Sequence, residues 1–325
     1  MKMKKNILGV DIGGTKCAVI YGQKEGDTLH LVEKVKFPTT SVDETIANIC
    51  SEIEQMMGRH GLDSSNTGAI GISCGGPLDS KRGVVMSPPN LPGWNDIPIV
   101  RMLEERFGIR TGIHNDANAC ALAEWKFGAG VGTQNMVFLT FGTGLGAGLI
   151  LDGKLYAGTN DNAGELGHIR LSEFGPVGYG KCGSFEGFAS GGGIAQLARF
   201  KVSEKQQMGE SVAWCPPGQL DSISAHTVAL AAAAYDGDAA AQKVFRVCGE
   251  KLGAGLAVLI DLFNPEVIVI GSIYVRNREL MEPFVLQEIE REALSHARRV
   301  CSVRPAKLGE QIGDYAALSV AANLI

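Results

Sequence analysis

Two glycine-rich turns, each set between apolar strand candidates, constrain the fold of this 325-residue chain more than any other feature. The first turn joins Ile7–Ile12 to Cys17–Tyr21 and reads D-I-G-G-T-K over Asp11–Lys16. The second follows another apolar run and reads G-T-G-L-G-A-G over Gly142–Gly148, before a strand candidate at Leu149–Leu151. Short apolar runs joined through glycine are typical of β-hairpins. The repeated layout therefore indicates an internal duplication, with each half of the chain opening on a glycine hairpin.

Helix candidates alternate with further strand candidates, which predicts an α/β protein. Apolar residues recur at helical spacing in Val42–Arg59 and in Ala239–Leu262, which Asn264-Pro265 should end. Further candidates include helices at Gly187–Lys201, Ala225–Asp236, Pro283–Arg298 and Tyr315–Leu324, and strands at Val267–Ile270 and Cys301–Arg304. At about 100–200 residues per domain, the length predicts two domains.

The composition excludes several classes of protein. A hydrophobic fraction of 45% and a charged fraction of 20% are typical of a globular chain with a sizeable core. The net charge of −5, without a basic stripe or a helix-turn-helix ahead of the first strand, predicts no nucleic-acid partner. No apolar run is long enough for a membrane span, and the first residues lead into a strand rather than a signal-peptide core. The eight cysteines form no C-x-x-C pair, which predicts free thiols and a cytoplasmic protein.

The segment H-N-D-A-N at His114–Asn118 holds the candidate catalytic group. It follows a strand candidate, Ile109–Ile113, and opens a helix candidate, Ala117–Phe127. Open α/β sheets bind ligands at the carboxyl ends of their strands. Asp116 could there accept a proton from a substrate hydroxyl, while Asn115 holds that hydroxyl. The alternative is that Asp116 and Asn118 merely cap the helix; the glycine-rich segments on either side favour the catalytic interpretation.

The first glycine turn has the groups that bind phosphate. Gly13 and Gly14 can point backbone N–H groups at an anion, Thr15 adds a hydroxyl donor, and Asp11 could hold Mg²⁺ through water. A plain hairpin turn is the alternative. In the second turn, glycine at alternate positions leaves one strand face without side chains, so that a ligand can lie against it. The pattern also satisfies G-x-G-x-x-A, but a strand follows where a Rossmann turn needs a helix, and the chain has no P-loop motif.

Three later segments carry further candidate ligand groups. Gly164–His168 holds Glu165 and His168 three residues apart, and flanking glycines favour a hydroxyl-binding site over a structural histidine. Glu186 precedes a helix, where a carboxylate either binds a ligand or simply favours the helix dipole. Val267–Ser272 ends a strand in Gly-Ser, which is either an adenosine contact or an ordinary strand-to-helix turn.

Together these segments resemble the ROK family of sugar kinases, within the actin/hexokinase-like ATPase fold. The resemblance runs along the whole chain, and the order and spacing of short motifs carry it jointly. The motifs are Asp11–Lys16, Gly75–Pro77, Pro89–Trp94, Asn115–Asn118, Gly142–Gly148, Gly164–His168 and Glu186–Ser190.

The resemblance implies an α/β, two-lobed actin-like ATPase (ribonuclease H-like) fold, with a mixed sheet and helices on both of its faces in each lobe. The N-terminal lobe would cover residues 1–117, with the helix 312–325 packing back on it, and the C-terminal lobe 118–311. The implied reaction is phosphorylation of a hexose or N-acetylhexosamine hydroxyl, usually the 6-OH, with ATP and Mg²⁺. Partners would be a small-molecule sugar and further copies of the chain, in a homodimer or homotetramer.

The resemblance also assigns roles to single residues. Asp116 matches the general base. The sugar-binding positions correspond to Gly76, Asn90, Asn115, Glu165, His168 and Glu186. The nucleotide and phosphate positions correspond to Asp11, Gly13, Gly14, Thr15, Lys16, Gly142, Thr143, Gly144, Gly271 and Ser272.

One segment departs from the family pattern. Family members commonly carry a zinc loop, with one His and three Cys, between the Glu165–His168 motif and Glu186. His168 is kept, but Cys182 lies out of register, and the three cysteine positions hold Val177, Tyr179 and Ser184. A tetrahedral zinc site needs four ligands. The sequence therefore predicts no structural zinc, with the loop held by packing instead.

Two other functions compete with a sugar kinase. The family also includes repressors, so a non-catalytic sugar sensor acting through a protein partner is one alternative. An actin-like ATPase or assembly protein without a sugar is the other. The trio Glu165, His168 and Glu186 argues against the second, because nucleotide hydrolysis alone needs none of these side chains.

Overall fold

The computed structural model describes residues 4–234 and 237–325, so the last two residues of the predicted helix Ala225–Asp236 and the first three of the chain lie outside it. The chain divides into two compact units. Unit 1 comprises Met1–Gln134, Gly148–Ala163 and Lys307–Ile325, and unit 2 comprises Asn135–Ala147 and Gly164–Ala306. These bounds differ from those of the predicted lobes, 1–117 and 118–311, because the helix that starts at Asp116 packs on elements of unit 1.

The strands and helices follow in chain order. The strands are β1 Lys5–Ile12, β2 Lys16–Glu25, β3 Thr28–Pro38, β4 Thr67–Cys74, β5 Leu78–Asp79, β6 Val84–Val85, β7 Thr111–Asn115, β8 Met136–Phe141, β9 Leu145–Leu151, β10 Lys154–Tyr156, β11 Val177–Gly178, β12 Lys181–Cys182, β13 Val267–Ile270 and β14 Ser302–Pro305. The helices are α1 Val42–His60, α2 Ile99–Phe107, α3 Asp116–Phe127, α4 Phe185–Phe188, α5 Gly191–Gln207, α6 Ala225–Ala233, α7 Ala239–Phe263, α8 Ile273–Arg276, α9 Arg278–Glu292, α10 Ser295–Arg298 and α11 Ile312–Asn323.

The main sheet of unit 1 is mixed, with the strand order β3-β2-β1-β4-β7. β1 and β2 form an antiparallel hairpin, while β1, β4 and β7 run parallel to one another. The register pairs Asp11 with Ser73, and Ser73 with His114. The carboxyl ends of these three parallel strands therefore lie side by side at one edge of the sheet.

Helices cover both faces of this sheet. Alternate residues of a strand point to opposite faces, so Leu8 and Val10 of β1 pack into a core with Ile49 and Ile53 of α1. Ile7 points the other way, into a second core with buried residues of the C-terminal helix α11, namely Ala317, Leu318, Ala321 and Ala322. The fold class predicted from the sequence is confirmed for this unit.

The second main sheet repeats the first, with the order β10-β9-β8-β13-β14. β13 runs parallel to both β8 and β14, and β9 and β10 are antiparallel neighbours. The chain passes from unit 2 to unit 1 at Gly148 within β9. The equal strand order is the structural form of the internal duplication predicted from the two glycine turns.

Several predicted elements have different bounds in the structure. β9 begins at Leu145 rather than Leu149, so half of the second glycine run is already strand. The helix predicted at Gly187–Lys201 is α5, which begins at Gly191 because the Ser190 side chain caps it by accepting from the Gly193 N–H at 3.0 Å.

The helix predicted from Pro283 begins earlier, at Arg278, so Pro283 lies inside α9. α9 ends at Glu292 rather than Arg298, because Ala293 is extended. The Leu294 N–H then donates to Asp261 at 2.9 Å before the short helix α10 begins. Within residues 4–234 and 237–325, no helix combines the length and apolar character that a membrane crossing requires.

Candidate active site

The candidate groups of unit 1 gather at the carboxyl ends of β1, β4 and β7. Asp11 is the next-to-last residue of β1, and Asn115 is the last residue of β7. Between them, β4 ends at Cys74, which pairs in register with Asn115. Gly76 follows two residues later and lies next to Asn115. A Cβ built on Gly76 would be 4.0 Å from the Asn115 Cβ. This sheet edge is the place where open α/β sheets bind ligands.

The first glycine turn is fixed by close contacts. A Cβ on Gly14 would lie 2.5 Å from the carbonyl oxygen of Asn90, so only glycine fits there without a backbone shift. The Gly13 N–H donates to the Lys16 carbonyl at 3.1 Å, and the Thr39 hydroxyl donates to the Gly13 carbonyl at 2.6 Å. The predicted Gly13 N–H donor is therefore already engaged, and an anion would meet Gly14 and the exposed Thr15 instead.

Asp11 lies in a group of charges that the sequence did not predict. Lys34 of β3 forms an ion pair with Asp314 of α11, and both are near Asp11. Burial raises the pKa of Asp11 to about 6; Lys34 opposes this shift, while Asp314 and Asp116 add to it. A cation that binds next to such a carboxylate stabilises its charged form and so opposes the effect of burial on its pKa.

The Asp11 carboxylate and the turn beside it suit Mg²⁺ better than a metal ion that is held by protein side chains alone. Among the described residues, no group of three or more His, Cys, Asp or Glu side chains is arranged to hold a metal ion. Mg²⁺ typically keeps several waters and takes one or two carboxylates together with phosphate oxygens. Asp11 beside the Gly14–Thr15 turn fits that pattern.

Asp116 is the first residue of α3, and Asn115 is its N-cap. The Asn115 side-chain oxygen accepts from the Asn118 N–H at 2.8 Å, so the cap is Asn115, and its amide nitrogen can still donate to a ligand. Part of Asp116 stays open to solvent, yet the surrounding protein excludes enough water to raise the pKa of its carboxyl. A hydrogen bond from the Ala117 N–H at 2.8 Å opposes this shift.

The second glycine turn, in unit 2, faces a carboxylate. The Gly142 N–H donates to the Gly144 carbonyl at 3.0 Å, which closes the turn. Glu186 accepts from the Leu145 N–H at 3.0 Å, and a Cβ on Gly144 would lie 2.7 Å from the same carboxylate oxygen. Glycine at 144 therefore makes room for Glu186.

The Glu165–His168 segment lies next to Glu186. Glu165 is exposed and precedes a 3₁₀ turn, Leu166–His168. A Cβ on Gly167 would lie 3.1 Å from the Glu186 Cβ, so the turn packs closely on that side chain. The structure thus brings the predicted sugar-binding groups of unit 2 into one neighbourhood.

A cavity of about 650 Å³ opens beside the second turn, within unit 2. Gly142, Thr143 and Ser272 line it, as predicted for a nucleotide site, whereas Gly144 and Gly271 are not part of the lining. The sequence did not predict the other lining residues, which include Gly191, Gly192, His226 and Asn277. Gly191 and Gly192 begin the 17-residue helix α5, and a helix N-terminus favours phosphate. The volume is in the range of small-molecule sites.

The residues of the zinc-loop region do not fit a zinc ion. The Val177 N–H donates to Gln196 at 2.9 Å, and the buried Ser184 hydroxyl caps α4 by accepting from Gly187 at 3.1 Å. The Cys182 thiol donates to the Gly175 carbonyl at 3.1 Å. The only ring contact of Tyr179 among the described residues is with His168. Val177 is engaged through its backbone, and the side chains of Tyr179, Cys182 and Ser184 have other partners, so these residues do not converge on a metal.

Comparisons with known proteins agree along the whole chain. The ROK family profile matches residues 7–323. A glucokinase of Streptomyces coelicolor is 33% identical over 316 residues, which cover 97% of this chain and 96% of that protein. The crystal structure of a ROK family glucokinase from Streptomyces griseus, in complex with glucose and AMPPNP, is 31% identical with a TM-score of 0.72 and 98% coverage of both chains.

A regulator is similar as well. The crystal structure of a ROK family transcriptional regulator, a homologue of the Escherichia coli MLC protein, has a TM-score of 0.83 and 27% identity. The match covers 99% of this chain and 79% of the regulator. The family match and the near-complete overlap with glucokinases together decide the assignment: the chain belongs to the ROK family and is a sugar kinase with the actin-like ATPase fold.

Proposed function

We propose that this chain phosphorylates a hydroxyl of a hexose or N-acetylhexosamine, namely the 6-OH, with ATP as phosphoryl donor and Asp116 as general base. The observation that carries the proposal is the position of Asp116, directly after β7 at the start of α3 and within electrostatic range of Asp11. A base works best when its pKa lies near the operating pH. The raised pKa of Asp116 moves in that direction.

In the proposed mechanism, Asp116 takes the proton of the sugar hydroxyl as that oxygen attacks the γ-phosphorus of ATP. The bond from this phosphorus to the bridging oxygen breaks, and ADP leaves. In unit 1, Asn115 and Asn90 are the proposed sugar-binding side chains, and the Gly14–Thr15 turn is the proposed phosphate-binding turn. In unit 2, Glu165, His168 and Glu186 are proposed to bind sugar hydroxyls, and the Thr143–Gly144 turn is proposed to donate N–H groups to phosphate oxygens. Phosphoryl transfer depends mainly on such positioning and charge stabilisation.

The donor-binding residues are proposed from the unit 2 cavity. Gly142, Thr143 and Ser272 would hold the nucleotide, and the start of α5 would face its phosphates. When bound, Mg²⁺ would neutralise charge on the phosphate oxygens. Asp11 is the residue proposed to orient that ion, and Lys16 extends the phosphate site. That the chain forms a homodimer or homotetramer stays a prediction, and so does its cytoplasmic location. All eight cysteine thiols are free, as predicted from the sequence.

A panel of hexoses and N-acetylhexosamines, each incubated with MgATP, tests the proposal through coupled detection of ADP. Sugar-dependent ADP release, with a phosphomonoester at one hydroxyl in the product, is the expected result. Sugar binding without turnover would support the sensor that the similar transcriptional regulator suggests. ATP hydrolysis at full rate without any sugar would instead favour an actin-like ATPase.

A further inference from the structure

The hairpin β11–β12 occupies the place of the family's zinc loop, and its stability comes from local contacts. Its turn residues Tyr179 and Gly180 both have left-handed backbone, with φ of 44° and 76°. Two such residues form the type I′ turn that suits a tight hairpin. In register, Val177 pairs with Cys182, and Gly178 pairs with Lys181.

Side chains outside the hairpin hold its two strands. Gln196 of α5 accepts from the Val177 N–H and donates to the Val177 carbonyl, both at 2.9 Å, as a neighbouring strand would. Arg170 donates to the Cys182 carbonyl at 2.6 Å. The hairpin is therefore anchored on both strands without a metal.

The hairpin contacts His168 at two points. The Lys181 ammonium donates to the His168 backbone carbonyl at 2.6 Å, which fixes the main chain at the end of the 3₁₀ turn. The Tyr179 ring meets the His168 imidazole edge to face, with ring centroids 5.2 Å apart and an interplanar angle of 80°. This is a favoured geometry for aromatic pairs. Tyr179 is otherwise 72% exposed, so its ring has little other packing role.

We infer that Tyr179 and Lys181 are positioning residues that replace a structural zinc, with the Tyr179 ring setting the orientation of the His168 imidazole toward the sugar. The inference rests on the proposed sugar-binding role of His168. Because Tyr179 acts on the imidazole, its loss should weaken sugar binding and leave binding of the nucleotide unchanged.

The decisive variants are Tyr179→Asn and Tyr179→Phe. Asparagine before glycine is the preferred type I′ pair, so Tyr179→Asn keeps the turn and removes only the ring. We expect KM for the sugar to rise about 2- to 10-fold, the size of one aromatic pair, with KM for ATP unchanged. Tyr179→Phe should restore the wild-type sugar KM. Phe174→Asn is the matched control, since Phe174 is an aromatic residue of the same loop and 81% exposed.

Two further measurements separate this inference from the proposed function. The imidazole proton shifts of His168, assigned with a His168→Gln variant, should change in Tyr179→Asn and stay in Tyr179→Phe, whether or not a sugar is turned over. Purified protein should contain less than one zinc per ten chains, and 1,10-phenanthroline should leave both activity and Tm unchanged. Unaltered His168 shifts and sugar KM in Tyr179→Asn, or one bound zinc per chain, would overturn the inference. Absence of sugar-dependent ADP release by the wild type would instead refute the proposed function.

Discussion

The two glycine turns are built on the same scaffold but face different neighbours. Each lies between two antiparallel strands of a sheet with the same strand order, and each spans three residues, 13–15 and 142–144. The first turn packs on a backbone carbonyl, that of Asn90, and follows the carboxylate Asp11. The second packs on the Glu186 side chain and follows Thr140 at the position equivalent to Asp11.

This difference shows how a duplicated element can acquire two roles. The first turn is rigidly framed and lies beside Asp11, Asp116, Lys34 and Asp314, so charge dominates its chemistry. The second has an uncharged strand end and opens on the 650 Å³ cavity, where α5 begins. We therefore expect substitutions near the first turn to affect the chemical step and stability, and those near the second to affect ligand affinity.

Replacement of the proposed base should give the largest effect. Asp116→Asn keeps the shape of the side chain and removes its capacity to accept a proton. We expect turnover to fall at least ~10²-fold, the low end for a lost general base, with sugar affinity nearly unchanged. Coupled ADP release and calorimetric sugar titration measure the two quantities. Asp221→Asn, an exposed carboxylate elsewhere, serves as the control. Turnover near the wild-type rate in Asp116→Asn would show that Asp116 is not the base. The expected difference in role between the surroundings of the two turns would then be wrong.

Alanine at the two turn glycines should separate their roles more finely. A Cβ on Gly14 collides with backbone, whereas a Cβ on Gly144 meets the end of a side chain that can move. We expect Gly14→Ala to lower the free energy of unfolding by roughly 1–3 kcal/mol, the cost of overpacking. Gly144→Ala should cost less in stability and raise KM for the sugar, because Glu186 has to shift. Urea unfolding and steady-state kinetics measure these effects.

Gly58→Ala is the matched control for both variants. Gly58 lies within α1, and an added Cβ there would have no atom within 4 Å among its described surroundings. Alanine in a helix is favoured over glycine, so this variant should be neutral or stabilised by up to about 1 kcal/mol. Equal destabilisation by Gly14→Ala and Gly144→Ala would show that the two turns are framed alike.

A further predicted effect, confined to a limited pH interval, is a pH dependence from Asp11. Its pKa is about 6 in the folded protein against an ordinary value of 3.8, so the folded chain holds this proton more tightly. Stability from this group is present below about pH 4 and is lost as pH rises to about 6. Asp11→Asn removes that loss. As pH rises over this interval, the free energy of unfolding of the variant should increase by roughly 1–3 kcal/mol relative to that of the wild type.

Thermal unfolding at a series of pH values measures this difference. The gain should level off above about pH 7, where the wild-type carboxylate is fully ionised. Thr140→Ala, at the equivalent strand end in unit 2, should show no such pH-dependent difference from the wild type. A constant offset between Asp11→Asn and the wild type at every pH would contradict the burial of a protonatable group beside the first turn.

Local patterns in the sequence were sufficient for the hairpins and for the place of the catalytic candidate. Alternating apolar residues and glycine predicted the β1–β2 turn, and an apolar run followed by N-D predicted a strand-to-helix junction at Asn115–Asp116. Both features depend on neighbours within a few residues. The start of α9 was missed because Pro283 usually opens a helix, while the structure places it one turn further in.

Contacts across long sequence separations could not be predicted. Lys34 and Asp314 are 280 residues apart, and neither belongs to a motif. The hairpin that supports His168 has Tyr-Gly at its turn instead of the Asn-Gly or Asp-Gly pair that would have revealed it. His226 and Asn277 reach the cavity from two separate parts of the chain, with no shared spacing to indicate it.

The sequence by itself determined the family, the alternation of strands and helices, and the residue types that can bind phosphate and sugar. These follow from periodicity and from the chemistry of short motifs. The tertiary structure alone decided which glycine has room for a side chain, which carboxyl has a raised pKa, and what supports His168 in place of a metal. Those properties depend on how much water and which atoms surround a group, and packing between distant segments sets both.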